Sequence, residues 1–386
     1  MFNKCVGAYR FFYNKANSWM KETLNKEAGD RPKGYTTLPH VRGAVVTSDA
    51  DLEDNELWQK EIPYDVRQLA VKQLLAAYKT CFTQHKNKTI TNFNVSYKSK
   101  KDPTQVFYCP KNCFNLKTLS IFPRRLKKNK TLRIRKKCLR SFHRALGDAS
   151  IQDFVVIRNN GAWYLCLPYK KQESAHTIAP YQHVFLDPGV RTFQTFYSPE
   201  GVCGKLGEQY ATSQIKPLLQ KVDALQSVQD RKKQFCFRTK TISHLKKRAS
   251  LLRTKIKNKV RDLHWKTASM LTDNFQSIHI PIFETKSMSI TTKRNINRST
   301  VRYMQTLSHY TFRQRLEHLC HVKNRTLVVV HEEYTSKTCG RCGVKNDDLG
   351  GNPVFCCNVC DFGPIDRDLH AARNICLKYI TETCNH

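Results

Sequence analysis

Four cysteines stand where a metal would want them. Cys339 and Cys342 lie in CGRC, Cys357 and Cys360 lie in CNVC, and fourteen residues separate the pairs. Two C-x2-C knuckles can supply four thiolates to one tetrahedral Zn²⁺. Four thiolates leave no position for water, so such an ion is structural and contributes directly to folding. A redox reading suits a single C-x-x-C pair better than two in tandem. Cys356 is adjacent, but only Cys357 has the two-residue spacing to Cys360.

A second set of residues offers oxygen chemistry. Asp187 falls where an apolar strand meets a Pro-Gly turn in FLDPGV, and Glu284 closes the apolar strand IPIF. Asp366 and Asp368 follow the second cysteine pair in DRDLH. Singly, an acid at a strand end is more often a turn or cap residue. Together, three carboxylates brought to the ends of core elements can hold two Mg²⁺ ions, which demand oxygen ligands. Two such ions, about 3.5–4 Å apart, activate an attacking water and stabilise the leaving oxygen of a phosphodiester. The acids must stay ionised, and bound cations favour that. The residues alone leave Asp366 and Asp368 as alternatives.

The charge balance names the substrate class. The chain of 386 residues carries 66 Lys and Arg against 31 Asp and Glu, a net charge of +35. That excess repels itself in a compact fold, and a polyanion offsets it. Residues 121–140 hold ten basic residues in twenty, and no acid occurs between Asp102 and Asp148. Arg124, Arg125, Lys127, Lys128, Arg133, Arg135, Lys136 and Lys137 alternate there with apolar residues, as in a strand-and-turn face laid against phosphates. Lys286, two after Glu284, can neutralise a phosphate; Arg191, after the first turn, can contact one or simply cap the strand turn. Arg367 can pair with an aspartate beside it. The apolar runs are strand-length, so no membrane partner is expected. The N-terminus lacks the apolar block of a signal peptide, so the 16 cysteines are read as mostly reduced thiols and the protein as not secreted.

The elements that position these residues are legible in outline. Tyr9, Phe12, Tyr13, Ala16 and Met20 recur at helical spacing, as do Val66, Leu69, Ala70, Gln73, Leu74 and Ala77 after Pro63. From about 90 to 180 short strands and turns take over, with Trp163, Leu165 and Leu167 on one face of GAWYLCLPY. Residues 183–201 read as a strand, a Pro-Gly turn and a second strand. Residues 208–275 read as a basic helical hairpin with Leu252, Ile256, Val260 and Leu263 as its apolar stripe. Trp265 is read as a helix-core residue. QSIHIPIFET and RTLVVVHEEY are further strands, 299–321 a helix, and DLHAARNICLKYI a final helix. Strands alternating with helices give an α/β core.

With these motifs in this order, the chain resembles the transposon-associated TnpB proteins and their eukaryotic and viral relatives, the Fanzor proteins. The marks are FLDPGVRTFQTF, IPIFETKSM, YTSKTCGRCG, CNVC and DRDLHAARNI, with a looser fit at GAYRFFYNKANSWM and EIPYDVRQLAVKQLLAAYKTCF. The resemblance implies an α/β RNase H-like (RuvC) nuclease core over 181–386, with the helical hairpin inserted at 208–275 and the zinc module at 335–363. It implies a strand-rich basic wedge domain over 89–180 and a helical recognition lobe over 1–88. The three acids become Asp187, Glu284 and Asp368; Asp368 is chosen over Asp366 because the family's aspartate lies two residues before a usual Asn. That Asn is His370 here, a departure, although histidine can hydrogen-bond or reach a metal. The chain also begins inside the first helix of the pattern, before which the family usually has a strand.

The activity implied is RNA-guided endonucleolytic cleavage of DNA with two catalytic Mg²⁺ and one structural Zn²⁺. The partners are a guide RNA and target double-stranded DNA, with base pairing reading the sequence. One chain on one RNA is the simplest assembly. The compartment is the nucleus for a eukaryotic protein or a virus of eukaryotes, and otherwise the cytoplasm. The rival reading is a catalytically weak, transposon-encoded regulatory protein that binds DNA or RNA without cutting.

Overall fold

A computed structural model describes residues 1–384 apart from 117–119, 123–131, 134–149, 160, 171–177, 236–238, 284 and 286–295. The chain divides into two compact units, Met1–Gln172 and Glu173–His386.

The first unit begins with helices α1 (Phe2–Asn25), α2 (Leu38–Val45) and α3 (Tyr64–Lys86). The periodic residues of α1 are buried as their spacing predicts. They meet Val66, Ala70 and Leu74 of α3, and the Tyr9 hydroxyl donates to Gln73 Oε1 at 2.6 Å. Pro63 stands at the N-cap of α3, where a missing N–H costs nothing. Strand β1 (Thr104–Cys109) is followed by three two-residue strands that pair antiparallel, β2 (Phe114–Asn115), β3 (Ser120–Ile121) and β4 (Leu132–Arg133). After β5 (Ser150–Ile151) come β6 (Phe154–Asn159) and β7 (Ala162–Cys166), which join β1 in the order β1-β6-β7, and β8 (Tyr169–Lys170), which pairs with β5. Phe107, Phe154 and Val156 share one core with α1 and α3, and Trp163, Leu165 and Leu167 pack on it. Of the basic residues singled out above, Arg133 belongs to β4; Arg124, Arg125, Lys127, Lys128, Arg135, Lys136 and Lys137 lie outside the described residues.

The second unit is an α/β core. Strands β9 (Tyr181–Pro188), β10 (Gln194–Tyr197) and β11 (Cys203–Leu206) form an antiparallel meander. Helices α4 (Lys216–Gln234) and α5 (Thr239–Asn274) precede β12 (Phe275–Pro281). Then come α6 (Arg298–Leu307), α7 (His309–Lys323), β13 (Thr326–Val330), the short pair β14 (Val354–Phe355) and β15 (Ile365–Asp366), and α8 (Arg367–Cys384). The sheet order is β11-β10-β9-β12-β13, with β12 parallel to both β9 and β13. The C-terminal ends of β9, β12 and β13 therefore share one edge. Because parallel strands are covered on both faces, they read as continuous apolar runs. Val184, Leu186, Ile278 and Ile280 meet Phe312 and Leu316 of α7. Phe185 and Val330 meet Ile375 of α8 on the opposite side.

Helices α4 and α5 pack through Leu218, Val222, Ile256 and Val260, while Leu263 joins the main core. Three local expectations change. Residues 299–321 form two helices, because Ser308 adopts a left-handed conformation (φ 52°, ψ 58°) that ends α6 and starts α7. Strand β12 stops at Pro281, short of Glu284, since proline has no N–H to continue the ladder. Trp265 is exposed on α5 rather than in the helix core, with the Arg315 guanidinium 5.8 Å from its ring centroid.

Candidate active site and metal centre

The cysteine knuckles converge. The ligand atoms of Cys339, Cys342, Cys357 and Cys360 lie within 4.8 Å of one another, and Cys356 is not among them. Cys339 Sγ is 3.6 Å from Cys360 Sγ, and Cys342 Sγ is 3.6 Å from Cys357 Sγ. A tetrahedron with Zn–S bonds of about 2.3 Å has edges of about 3.8 Å, so the cage fits the ion. Backbone N–H groups of Arg341 and Val359 donate to the sulfurs of Cys339 and Cys357 at 3.5 and 3.4 Å. Such donors favour thiolate, and the N–H groups of Val359 and Cys360 bring the Cys357 thiol down to about 6. The four-cysteine cluster is thus built as a structural zinc site.

His370 belongs to this module rather than to the carboxylates. It is fully buried on α8, stacked on Phe355 at 4.1 Å, and its Nε2 accepts the Gly340 N–H at 3.1 Å. Burial, with the Arg373 charge adding, lowers its pKa to about 4, which keeps the ring neutral and able to accept. One turn on, Asn374 donates to the carbonyls of Thr335 and Thr338 at 2.8 and 2.7 Å. A side chain at position 340 would run into Asn374 and Arg373, which accounts for glycine in CGRC. The first knuckle is therefore bonded directly to α8.

Those bonds hold the helix whose first turn carries Asp368. Asp366 is the cap of that helix: its Oδ1 accepts the N–H groups of Asp368 and Leu369, both at 3.1 Å, and its Oδ2 accepts from Lys205 Nζ at 2.6 Å. Burial alone would raise the Asp366 carboxyl, but Lys205 and the helix N–H groups outweigh it and lower the pKa. Arg367 forms no hydrogen bond to either neighbouring aspartate; its guanidinium donates to the carbonyls of Gly350 and Asn352 at 2.7 and 3.3 Å.

Asp187 is the penultimate residue of β9, opposite Thr195 of β10. Its carboxyl is pushed well above the usual range, first by burial, then by the charges of Asp368 and Glu332, against the opposing charge of Arg367. Asp187 and Asp368 line a cleft of about 830 Å³ together with Arg191, Tyr303 and Arg367. Gly189 is required at the turn below, because a Cβ there would stand 2.8 Å from the Thr192 carbonyl. Such a site offers oxygen ligands to a hard cation and excess negative charge for it to neutralise.

Glu332 was not singled out by sequence reasoning. It follows β13, the second strand parallel to β9, and so reaches the same edge as Asp187. The signal was an acid just past an apolar strand, but HEEY offers two adjacent acids and no periodicity to choose between them. Glu284 and Lys286 lie outside the described residues.

Comparisons with known proteins agree with this geometry. The Cas12f1-like TNB domain model matches residues 309–375. The putative transposase A625R of Paramecium bursaria Chlorella virus 1 is 30% identical over 397 residues, spanning 99% of this chain and 84% of that protein. TnpB-like protein L79 of Acanthamoeba polyphaga mimivirus is 30% identical over 196 residues, 49% of this chain and 36% of the relative. Among solved structures, a chain of the Cas12f1–sgRNA–target DNA complex superposes with a TM-score of 0.55 at 12% identity, over 97% of this chain and 81% of that one, a likeness of fold. The chain belongs to the TnpB/Fanzor family and carries a Cas12f1-like TNB domain over residues 309–375.

Proposed function

We propose that the protein is an RNA-guided DNA endonuclease that hydrolyses phosphodiester bonds in the cleft between β9 and α8. The observation that carries this reading is the meeting of Asp187 and Asp368 at one cleft, close enough to raise the Asp187 carboxyl. The sheet order β11-β10-β9-β12-β13 supports an RNase H-like core. The net charge of +35 supports a nucleic-acid partner. The relatives named above include a putative transposase and TnpB-like proteins.

Two Mg²⁺ ions held there would supply an activated water and neutralise charge on the leaving oxygen. The chain's own part is positional. Asp187 is fixed by the sheet, and Asp368 is aimed by a helix start that Asp366 and Lys205 lock in place. Asp368 also sits in the first turn of α8, where the positive end of the helix favours a carboxylate. We assign Glu332 as the third acid, because its charge reaches Asp187; Glu284 is the alternative implied by the family pattern.

In the same reading, 1–88 is the recognition lobe, 89–180 the wedge, and 181–386 the nuclease with its hairpin and zinc module. Guide RNA and target duplex are held by the basic surfaces, with one chain on one RNA. The nucleus of a eukaryotic host is the proposed site of action.

The test is cleavage of matched double-stranded DNA by protein purified with its RNA, in Mg²⁺ and in EDTA. Cutting in Mg²⁺ alone, lost in D187A and in E332Q, is the expected result. Loss in E284Q with full activity in E332Q would transfer the third position to Glu284. Tight RNA-dependent binding without cutting would assign the regulatory role instead.

A further inference from the structure

The cleft that holds the carboxylates is also lined by Arg191, Thr192, Gln209, Ala211 and Thr212. Arg191 and Thr192 follow the Pro188–Gly189 turn, and that turn is bonded to the start of the helical segment 210–234. The Gln209 N–H donates to the Arg191 carbonyl at 2.7 Å, and the Phe193 N–H to the Gly207 carbonyl at 3.4 Å.

Three features of this corner call for an anion. The segment opens with a single π-helical turn, Ala211–Ile215, that leads into α4, and no side chain caps it. The Tyr210 and Ser213 N–H groups find Gly207 and Gln209 carbonyls at 3.2 and 2.9 Å, whereas those of Ala211 and Thr212 make no such bond among the described residues. First-turn N–H groups have no acceptor within their own helix, and the helix dipole is positive there. Thr192 is 2% exposed, yet its Oγ1 has no hydrogen-bond partner among the described residues. A buried hydroxyl left unpaired is unfavourable, so a ligand oxygen is favoured. Arg191 is exposed, and its side chain forms no hydrogen bond or ion pair among the described residues. A free guanidinium, an unsatisfied hydroxyl and two helix-start N–H groups in one cleft match the chemistry of a phosphate.

We propose that Arg191, Thr192 and the Ala211–Thr212 backbone form a subsite for a non-scissile phosphate of the DNA strand being cut. It grips that strand beside the reacting bond and sets its register over Asp187 and Asp368. Gln209, held at a positive φ of 51°, turns the chain into the helix at this point. The inference rests on the nuclease reading of the cleft and adds to it a fixed point of contact on the substrate backbone.

The experiment uses full-length protein with its co-purified RNA and labelled single-stranded DNA. Each phosphate of the DNA is replaced in turn by an uncharged methylphosphonate. Binding is measured in Ca²⁺, and cleavage of unmodified strand is measured separately in Mg²⁺. In the parent, neutralising one phosphate is expected to weaken binding about tenfold, the size of a lost charge-assisted contact. The R191A/T192V double variant should lose that sensitivity to within about twofold, and T192S should keep it. Thr192→Val conserves volume and Arg191 is exposed, so unchanged melting temperatures are expected and serve as the folding check. If no phosphate position is coupled to these residues, the subsite is overturned. Absence of cutting by the parent in Mg²⁺ would instead sink the nuclease reading, while the coupling in Ca²⁺ still reads the subsite.

Discussion

The cysteine cluster lies in the chain between two of the carboxylates, Glu332 and Asp368, yet the two clusters are prepared in opposite ways. The cysteines are drawn together: four sulfurs lie within 4.8 Å, with backbone N–H groups already directed at them. The acids are gathered less tightly. Among the described residues the four cysteines are the one set of three or more ligands gathered so closely, while Asp368 and Glu332 are near enough to raise the Asp187 carboxyl without converging that far. The cysteine cage has no room for another ligand, whereas the acids open on a cleft of about 830 Å³. The contrast teaches that one site is built for permanence and the other for exchange. A saturated tetrahedron suits structure; an open, repulsive set of oxygens suits a site that substrate and hard cations enter together.

The strongest way to break the comparison is to remove the cysteine metal. Chelation, or the double substitution C339S/C342S, should forfeit metal-coupled folding energy on the order of 10 kcal/mol. Hydrogen exchange should then rise across 335–363 and the first turn of α8. Zinc analysis of the parent should give about one ion per chain, as four thiolates in a closed cage imply. Undisturbed protection after chelation would mean that the knuckles hold together without the ion.

The carboxylate site should respond the other way. Asp187→Asn is expected to lower cleavage by about a thousandfold or more, since it removes a metal ligand and a charge at the reacting centre. Melting in EDTA should not fall and should rise slightly, because a charge repelled by neighbouring carboxylates has been removed. A melting curve with and without Mg²⁺ sharpens the point: the parent should gain stability from the ion and the variant should not. A destabilised D187N protein would place Asp187 among the structural groups instead.

His370 links the two regions and gives an intermediate effect. His370→Ala leaves the Gly340 N–H unpaired and a cavity beside Phe355, at a cost of about 2–3 kcal/mol. Zinc affinity should weaken with it, because the ring supports the first knuckle. Equal zinc binding in parent and variant would show that the helix reaches its place by other contacts.

The smallest effect lies away from both sites. Arg302 donates to both carboxylate oxygens of Asp223 at 2.6 and 2.7 Å, tying α6 to α4. The hydrogen bond from Arg302 keeps the Asp223 carboxyl below its usual value despite some burial. The pair therefore adds stability above pH of about 4, the unfolded carboxyl value, and loses it as pH falls through the lower folded value. As a largely exposed pair it is worth less than about 1 kcal/mol, and D223N should show that loss at pH 7 but none at pH 2.

Much of this organisation was legible in the residues. Helical spacing placed Phe12, Tyr13 and Met20 on the buried face of α1, and C-x2-C spacing picked Cys357 over Cys356. Periodicity could not foresee the left-handed Ser308 that splits 299–321, because one backbone dihedral leaves no compositional mark. It also missed Glu332, whose approach to Asp187 depends on β12 lying between β9 and β13. Of the two roles open to His370, the structure has hydrogen bonding, to the Gly340 N–H; two positions along a helix turn a side chain by roughly 200°, so Asp368 and His370 face different neighbours.

By itself, then, the sequence determined the local chemistry: the zinc-binding spacing, the acid types, the basic surplus and the buried faces of the helices. Those follow from short-range geometry and composition. Only the tertiary structure decided which acids share a field, that Asp366 caps a helix while Asp368 faces Asp187, and that an unpaired Thr192 lies in the same cleft as a bare helix start. These are contacts between strands and helices distant along the chain, and they exist only once the sheet has been assembled in its crossed order.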